Sequence, residues 1–161
     1  GKEESMARLE YRLLDEAKGY PVLYVYEGIS HGEVAARFIC DRFVKEGAVY
    51  ERTSCAIEPD GFVIYIQPDS KGRVMWPAAA TKTAGLPLEI AACGSGLLSA
   101  QRQLVLSFLT YEELQLQLLA DYRMHQGEEW LKVSAELDED RSAYVYYMEK
   151  VREVACRSVI G

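Results

Sequence analysis

The sequence predicts a single α+β domain: an antiparallel sheet from an N-terminal β-β-α-β-β unit, with a largely helical C-terminal half packed on it. Two patterns lead to this fold. In the first 67 residues, apolar runs and a strict alternation of polar and apolar residues are typical of strands. In the rest of the chain, apolar residues recur mainly at helical spacing. The first unit is therefore expected to form a sheet with one helix laid on it.

The size and composition of the chain fit one globular domain over residues 1–161. With 161 residues, of which 49% are hydrophobic and 27% charged, the chain can bury a large core without disulfides or metal ions. Disorder is expected only at the ends. Gly1–Ser5 precede Met6 and are expected to form a flexible tail, as either an added segment or a native extension.

The charge and the cysteine pattern exclude several classes of function. A net charge of −7 without a basic cluster argues against binding to nucleic acids or anionic membranes, because both need Lys and Arg opposite phosphates. No apolar run reaches the roughly 20 residues of a membrane span. The four cysteines are far apart and form no CxxC pair, which predicts free thiols, no metal site and a cytoplasmic protein. No cofactor is predicted.

The first unit begins with a predicted hairpin. Met6–Leu13 alternates strictly between apolar and charged residues, which is typical of a half-buried strand. Tyr20–Tyr26 is an almost unbroken run of aromatic and aliphatic residues, which is typical of a strand covered on both faces.

A helix and a second hairpin complete this unit. Ser30 and Glu33 have the spacing of a capping box, so a helix is predicted from there to about Glu46. The turn Pro59-Asp60-Gly61 then has residues suited to a tight reversal of the chain. The strands on either side of this turn are predicted at Val49–Glu58 and Phe62–Gln67.

The second half starts with an irregular stretch at residues 68–87. It is interpreted as either a functional loop or a region with an unrecognised element, and Arg73–Trp76 has the composition of a short strand. Residues 97–109 fit both a strand and a helix, and their Ala and Gln content favours the helix. Residues 130–137 are also ambiguous, and their alternation favours a strand.

Two further helices are predicted in this half. Thr110 and Glu113 form a second capping box, which begins a helix that runs to about Gln126. Asp138 is expected to cap a last helix. The apolar stripe of that helix consists of Ala143, Tyr144, Tyr147, Met148, Val151, Val154 and Ala155.

Two residues are candidates for catalysis. His31 follows a helix N-cap, where the helix dipole favours a neutral imidazole that can act as a base. Cys93 borders the loop Gly94-Ser95-Gly96, where its thiol is expected to be accessible. No partner side chain for either residue can be named from the sequence, and each is also explained as a structural residue.

Aromatic residues suggest a site for a flat or apolar ligand. The chain has eleven tyrosines, and Tyr24 and Tyr26 share one face of the second predicted strand. Tyr65 is expected on a neighbouring strand, and Trp76 follows nearby. Such an aromatic face can line a pocket, although packing between the sheet and a helix explains it as well.

Several apolar residues lie outside the main stripes of the predicted helices. Such a residue is expected to be covered by another part of the chain or by a partner. The predicted interface residues are Val34, Phe38, Leu116, Leu119, Met124 and Tyr146.

Two hypotheses of different class follow. The leading one is a non-catalytic cytosolic module that binds a protein partner, a second copy of itself in a homo-oligomer, or a small ligand. The rival is a small cytosolic enzyme with a site near His31 and the loop at residues 73–85. No sequence motif decides between them.

Overall fold

The computed structural model describes residues 6–72, 83–94 and 96–151, and these form a predominantly β structure. The predicted α+β fold with a largely helical C-terminal half is therefore wrong, because the second half contributes five strands and one helix. The helices are α1 His31–Ile39 and α2 Tyr111–Leu119. The strands are β1 Met6–Leu13, β2 Val22–Ser30, β3 Arg42–Lys45, β4 Ala48–Glu58, β5 Gly61–Pro68, β6 Leu86–Cys93, β7 Gln101–Phe108, β8 Tyr122–His125, β9 Glu128–Asp138 and β10 Ala143–Lys150.

The ten strands form one mixed sheet. Nine of them follow the order β2-β1-β5-β4-β3-β9-β10-β6-β7, and β8 pairs with β9 beside this path. The hairpin pairs are antiparallel, whereas β1 pairs with β5, β6 with β10 and β3 with β9 in parallel. Strands β2 and β7 form the two outer edges.

The chain contains two copies of one β-β-α-β-β-β unit. Strands β1–β5 with α1 form the first unit, and β6–β10 with α2 form the second. In each unit the first two strands form a hairpin, and the first strand pairs in parallel with the last. Helix α2 begins eighty positions after α1, and β6, β8 and β9 begin eighty positions after β1, β3 and β4. Residues eighty positions apart, from 31–60 in the first unit and from 111–140 in the second, are called counterparts.

Two predicted helices in the second half are strands. Residues 97–109 contain β7, so the alternating pattern was the informative one there. The helix predicted after Asp138 is β10, in which all residues from Ala143 to Met148 are buried. A strand that is buried on both faces loses its alternation, so its apolar residues also fit a helical stripe.

The other predicted elements agree better with the structure. The strands predicted at Met6–Leu13 and at residues 130–137 are confirmed. The two capped helices are also confirmed, but they end at Ile39 and Leu119, and the short strands β3 and β8 follow. The predicted tail at residues 1–5 and the predicted strand Arg73–Trp76 lie outside the described residues.

The two helices cover one face of the sheet, and the main core lies between the helices and the sheet. Apolar side chains from both units meet there, so the two units share one core. This face is called the helix side. Its fully buried residues include Leu9, Ile66, Leu88, Ile90, Leu114, Leu118 and Tyr146.

The opposite face of the second unit buries a network of ion pairs. Arg141 donates to both carboxylate oxygens of Glu89 at 2.8 Å and to Asp138 at 2.7 Å. Arg42 donates to Glu136 at 3.0 Å. Burial raises the pKa of Glu136 and of Asp138, although the neighbouring arginines oppose this shift. Such charges are tolerated because each is paired.

Helices α1 and α2 pack against each other near their N-termini. Gly32 lies so close to α2 that a Cβ at this position would be 2.9 Å from the Cβ of Tyr111. The amide of Gln115 donates to the Gly32 carbonyl at 2.9 Å, and the Tyr111 hydroxyl donates to Glu33 at 3.2 Å. The absence of a side chain at Gly32 therefore sets the distance between the helices.

We expect Gly32→Ala to lower the free energy of unfolding by about 1–2 kcal/mol, because the overpacked contact outweighs the higher helix propensity of alanine. Chemical denaturation measures this change. The matched control is Gly94→Ala, whose new Cβ would have its nearest neighbour at 3.7 Å and which should stay within about 0.5 kcal/mol. A neutral Gly32→Ala would contradict the described helix contact.

We expect Arg141→Met to lower the free energy of unfolding by about 3–5 kcal/mol, because it leaves buried carboxylates without their main partner. Arg8→Met serves as the control, since Arg8 pairs with Glu10 and Glu27 on a more exposed part of the sheet. That control should have a much smaller effect, because solvent screens an exposed ion pair. Equal effects of the two substitutions would show that the Glu89 network is not buried.

Candidate functional site

The two units are joined by a seam between β3 and β9. Arg42, Phe43 and Val44 pair in parallel with residues 136–138. At the end of this ladder the Glu139 amide donates to the Val44 carbonyl at 2.8 Å. We call this contact the closed seam.

The side chain of Glu139 anchors the closed seam on the first unit. It accepts hydrogen bonds from the Tyr26 hydroxyl at 2.6 and 2.7 Å, from Lys45 at 2.8 Å and from Arg37 at 3.2 Å. Burial would raise the pKa of Glu139, but the hydrogen bonds from Lys45 and Tyr26 and the charge of Arg37 lower it below its usual value. The carboxylate is therefore the form that stabilises this contact.

The next residue, Asp140, binds the turn between β3 and β4. Its carboxylate accepts hydrogen bonds from the amides of Glu46 at 2.7 Å and Gly47 at 2.9 Å. Both turn residues have positive φ, 53° and 75°, which points successive amides outward. The segment from Glu136 to Asp140 thus binds the first unit through a strand, a charged side chain and a carboxylate on two amides.

The counterpart of this seam lies between β8 and the end of β4, where the two strands do not pair. We call it the open seam. Strand β4 is antiparallel to β3, whereas β9 is parallel to β3. The last residues of β4 and the first residues of β9 therefore both extend beyond Arg42, at the start of β3. Strand β8 lies against the start of β9, on the side towards β4. Among the described residues, β8 pairs only with β9, and Ser54–Glu58 pair only with β5.

A proline explains why this second seam does not close in the same way. Pro59 is the counterpart of Glu139, and the Met124 carbonyl is the counterpart of the Val44 carbonyl. Proline has no amide hydrogen, so Pro59 cannot form the hydrogen bond that ends the closed seam. Pro59 also has no carboxylate, so it cannot make the hydrogen bonds that the Glu139 side chain accepts in the closed seam.

The open seam leaves apolar side chains in solvent. Leu116 is 70% exposed and Met124 is 68% exposed, whereas their counterparts Ala36 and Val44 are 0% and 2% exposed. The same difference separates Tyr122, which is exposed, from buried Arg42. We call the exposed set the α2–β8 surface. It consists of Leu116 and Leu119 on α2, on the helix side, and of Tyr122 and Met124 on β8. Arg123 lies over the ring of Tyr146 in the helix-side core, so Tyr122 and Met124 point to the opposite face and the surface runs around the free edge of β8.

Strand β8 also holds two polar atoms that lack a partner. Arg123 Nε and His125 Nε2 are shielded from solvent without a hydrogen-bond acceptor or donor among the described residues. A shielded polar group without a partner costs about 1–3 kcal/mol. Their counterparts Phe43 and Lys45 lie in the closed seam, where Lys45 is paired with Glu139. The second unit is therefore incompletely satisfied at β8.

The structure separates the predicted interface residues into two groups. Val34 and Tyr146 are buried in the core, where the Tyr146 hydroxyl donates to the Ala120 carbonyl. Phe38 is half-buried and packs on Phe62. The remaining three, Leu116, Leu119 and Met124, are exposed and belong to the α2–β8 surface.

The predicted ligand-binding tyrosines do not share one pocket. Tyr24 and Tyr26 lie on the helix side of the sheet, with Lys45 Nζ within 4.8 Å of both ring centroids. Arg37 lies 4.2 Å from the centroid of Tyr26, so cations of the chain cover these rings. Tyr65 is one residue from Ile64 and Ile66 of the helix-side core and lies on the opposite face of β5. Trp76 lies outside the described residues.

The two catalytic candidates line different clefts. His31 lies with Thr110 and Gln115 in a cleft of about 550 Å³ at the N-termini of the two helices. Cys93 lies with Gln101 and other residues in a cleft of about 990 Å³ at one end of the second unit. Burial raises the pKa of the Cys93 thiol to about 11, which disfavours the reactive thiolate.

The described residues contain no group of three His, Cys, Asp or Glu side chains placed to hold a metal ion. In the same part of the chain, neither α1 nor α2 has the length and apolarity needed to cross a membrane, and no other helix qualifies.

Sequence reasoning missed Tyr122 and the seam, because it missed the internal repeat. A signal for the repeat is present: the capping boxes at Ser30 and Thr110 are eighty positions apart. Identical residues also occur at counterpart positions after them. These pairs are Glu33 and Glu113, Asp41 and Asp121, Gly47 and Gly127, Ser54 and Ser134, and Asp60 and Asp140.

Comparison of the chain with protein-family models, with curated proteins and with solved structures finds no match.

We expect Glu139→Gln to lower the free energy of unfolding by about 1.5–3 kcal/mol at pH 7, because it removes charge-assisted hydrogen bonds. The pKa of Glu139 is lowered by folding, so its contribution is complete above the unfolded pKa of about 4.3 and is lost as the pH falls through the folded pKa. The difference from the wild type should therefore shrink below about pH 4. Denaturation at several pH values measures it.

Glu51→Gln is the control for this series, because Glu51 is exposed on β4. It should change the free energy of unfolding by less than about 0.5 kcal/mol at neutral pH. A deficit in Glu139→Gln that grows as the pH falls would contradict the described anchoring of the closed seam.

Proposed function

We propose that this protein is a non-catalytic interaction module that binds a partner protein through the α2–β8 surface. One observation carries the proposal: Leu116, Tyr122 and Met124 are exposed, although the counterpart positions in the first unit are buried. In the closed seam, residues 136–138 cover the outer edge of β3, whereas no described residue pairs with the outer edge of β8. The second unit lacks that cover.

The composition of the surface favours a protein as its occupant. Leucine, tyrosine and methionine provide large apolar contact areas, and tyrosine and methionine are enriched in protein interfaces. Small molecules are instead bound in concave sites that enclose most of their surface. All four side chains here are more than half exposed, and of the four Tyr122 alone lines the cleft near Cys93.

The positions of the catalytic candidates support a non-catalytic role. His31 and Cys93 line separate clefts, so they do not form a base and nucleophile pair. The rival hypothesis of an enzyme site near His31 also needs the loop at residues 73–85. That loop is described only from Thr83 onward, and no observation favours this hypothesis over the leading one.

A cytoplasmic location is part of the proposal. Cys40, Cys55 and Cys93 are free thiols, and Cys156 lies outside the described residues. Free cysteines in a β-rich chain of this size are typical of a reducing compartment.

A photo-crosslinking amino acid at Leu119 tests the proposal in cells that produce the protein. We expect an ultraviolet-dependent adduct with one other protein, identified by mass spectrometry. That protein, once purified, should bind the wild-type chain at least about tenfold more tightly than the variant Leu116→Glu/Met124→Glu, because a tenfold change needs only 1.4 kcal/mol of lost apolar contact.

The same crosslinker at Val25 is the control, because Val25 is 45% exposed on β2 at the far edge of the sheet. The double variant should unfold within about 1 kcal/mol of the wild type, since both side chains are exposed. Equal adducts at Leu119 and Val25 would overturn the proposal. An adduct between two copies of this chain would replace the partner protein by self-association.

A further inference from the structure

The closed seam is an internal template for how the open seam binds. In it, residues 136–138 extend along β3 in parallel, and the Glu139 amide donates to the Val44 carbonyl. The Asp140 carboxylate then accepts from the two amides of the turn after β3. Five consecutive residues thus make three kinds of contact: residues 136–138 pair as a strand, residue 139 donates its amide, and residue 140 binds with its carboxylate.

Strand β8 presents the same acceptors and donors. The Met124 carbonyl is the counterpart of the Val44 carbonyl, and β8 pairs with β9 on one edge only within the described residues. The turn after β8 has the same backbone shape, because Gln126 and Gly127 have φ values of 51° and 74°. The closed-seam turn, with values of 53° and 75°, binds a carboxylate. No carboxylate of the described residues bonds these two amides in the second unit.

Among the described residues, neither the chain itself nor a second copy has an unpaired segment of this pattern. The chain's own counterpart segment carries Pro59, which lacks the amide hydrogen that the pattern needs. In a second copy, the matching segment Glu136–Asp140 is already held in the closed seam of that copy. The occupant is therefore expected to come from a different protein.

On the basis of the proposed function, we infer that the partner contributes an extended acidic segment that pairs in parallel with the free edge of β8 and sets a carboxylate on the amides of Gln126 and Gly127. This is addition of a strand to an exposed sheet edge, in which main-chain hydrogen bonds give affinity and side chains give specificity. His125 is the counterpart of Lys45, which donates to Glu139 in the closed seam, and its Nε2 has no hydrogen-bond partner among the described residues, so an acidic residue is favoured opposite it.

The closed seam also predicts which types of side chain the partner segment carries. Leu137 occupies the position between Glu136 and Asp138 and lies on the helix side of the sheet. The partner segment should therefore have an apolar residue between two polar or acidic ones, then a residue that is not proline, then Asp or Glu. The apolar side chain would face Arg123, the counterpart of Phe43.

A peptide with the sequence of residues 133–141 is the probe, because it contains the template segment. Labelled with fluorescein, it should bind the full chain in an anisotropy titration and slow the exchange of amide hydrogens in β8. Met124→Glu in the protein should weaken binding at least tenfold, whereas Val25→Glu should leave it unchanged. Both side chains are exposed, so thermal unfolding of the two variants should match the wild type.

Two changes in the peptide test whether its carboxylate at position 140 and its amide hydrogen at position 139 contribute to binding. Asp140→Asn should weaken binding at least threefold, because an amide is a weaker acceptor for the two turn amides than a carboxylate. Glu139→Pro should weaken binding more than Glu139→Ala, because only proline removes the amide hydrogen that meets the Met124 carbonyl. Equal binding of the proline and alanine peptides would overturn parallel pairing.

The remaining outcomes are also decisive. Binding that survives Met124→Glu would place the peptide on β3 by displacement of the closed seam, and no binding at 1 mM peptide would remove the strand mode. If an adduct at Leu119 persists while the peptide fails, the proposed function stands and this inference falls. Dimerisation of the wild type that Met124→Glu abolishes would assign the β8 edge to a second copy instead.

Discussion

The parallel ladder between β3 and β9 is the contact on which the arrangement of this molecule depends. Within the described residues it is the one strand pairing that joins the two units into a single sheet. The ladder is only three residue pairs long, so it needs the support that Glu139 and Asp140 give it at its end. It also places α1 and α2 on the same face, where they enclose a common core.

The asymmetry between the two units follows from a few side chains at the seam. At the closed seam, an amide hydrogen and two carboxylates are available after β9. At the counterpart positions the chain has Pro59, which offers neither an amide hydrogen nor a carboxylate, whereas Asp60 keeps the carboxylate of Asp140. A repeat built from similar units thus has one seam that holds the molecule together and one that remains free. Free strand edges are usually blunted by charge or proline unless they serve as binding sites.

Local patterns predicted the elements whose signals are contained in a few residues. The capping side chains of Ser30 and Thr110 accept from the amides of Glu33 and Glu113, as their spacing indicates. The alternation of β1 was equally clear, because charged residues mark its opposite face. In contrast, β10 is covered on both faces, so its sequence gives no alternation and its helical stripe misled the prediction.

The candidate site could be predicted only in part. The helical wheel placed Leu116 and Leu119 off the main apolar stripe and predicted that this core or a partner covers them, and in the structure both are exposed. The same reasoning failed for Tyr146, because it assumed a helix where a buried strand lies. Whether β3 or β8 is covered depends on pairing between residues more than ninety positions apart, such as Val44 and Asp138. Short-range periodicity carries no information about such contacts.

The closed seam also has a consequence for the way the chain is made. Every strand pairing within the first unit is complete once Pro68 has been synthesised, but the partner of β3 ends at Asp138. At about 5–20 residues per second, the second unit follows the first after several seconds. During that interval on the ribosome, the Arg42–Lys45 strand has its outer edge unpaired, as β8 has in the finished molecule. The nascent first unit is thus the stage of biogenesis at which pairing with a wrong strand competes most directly with folding.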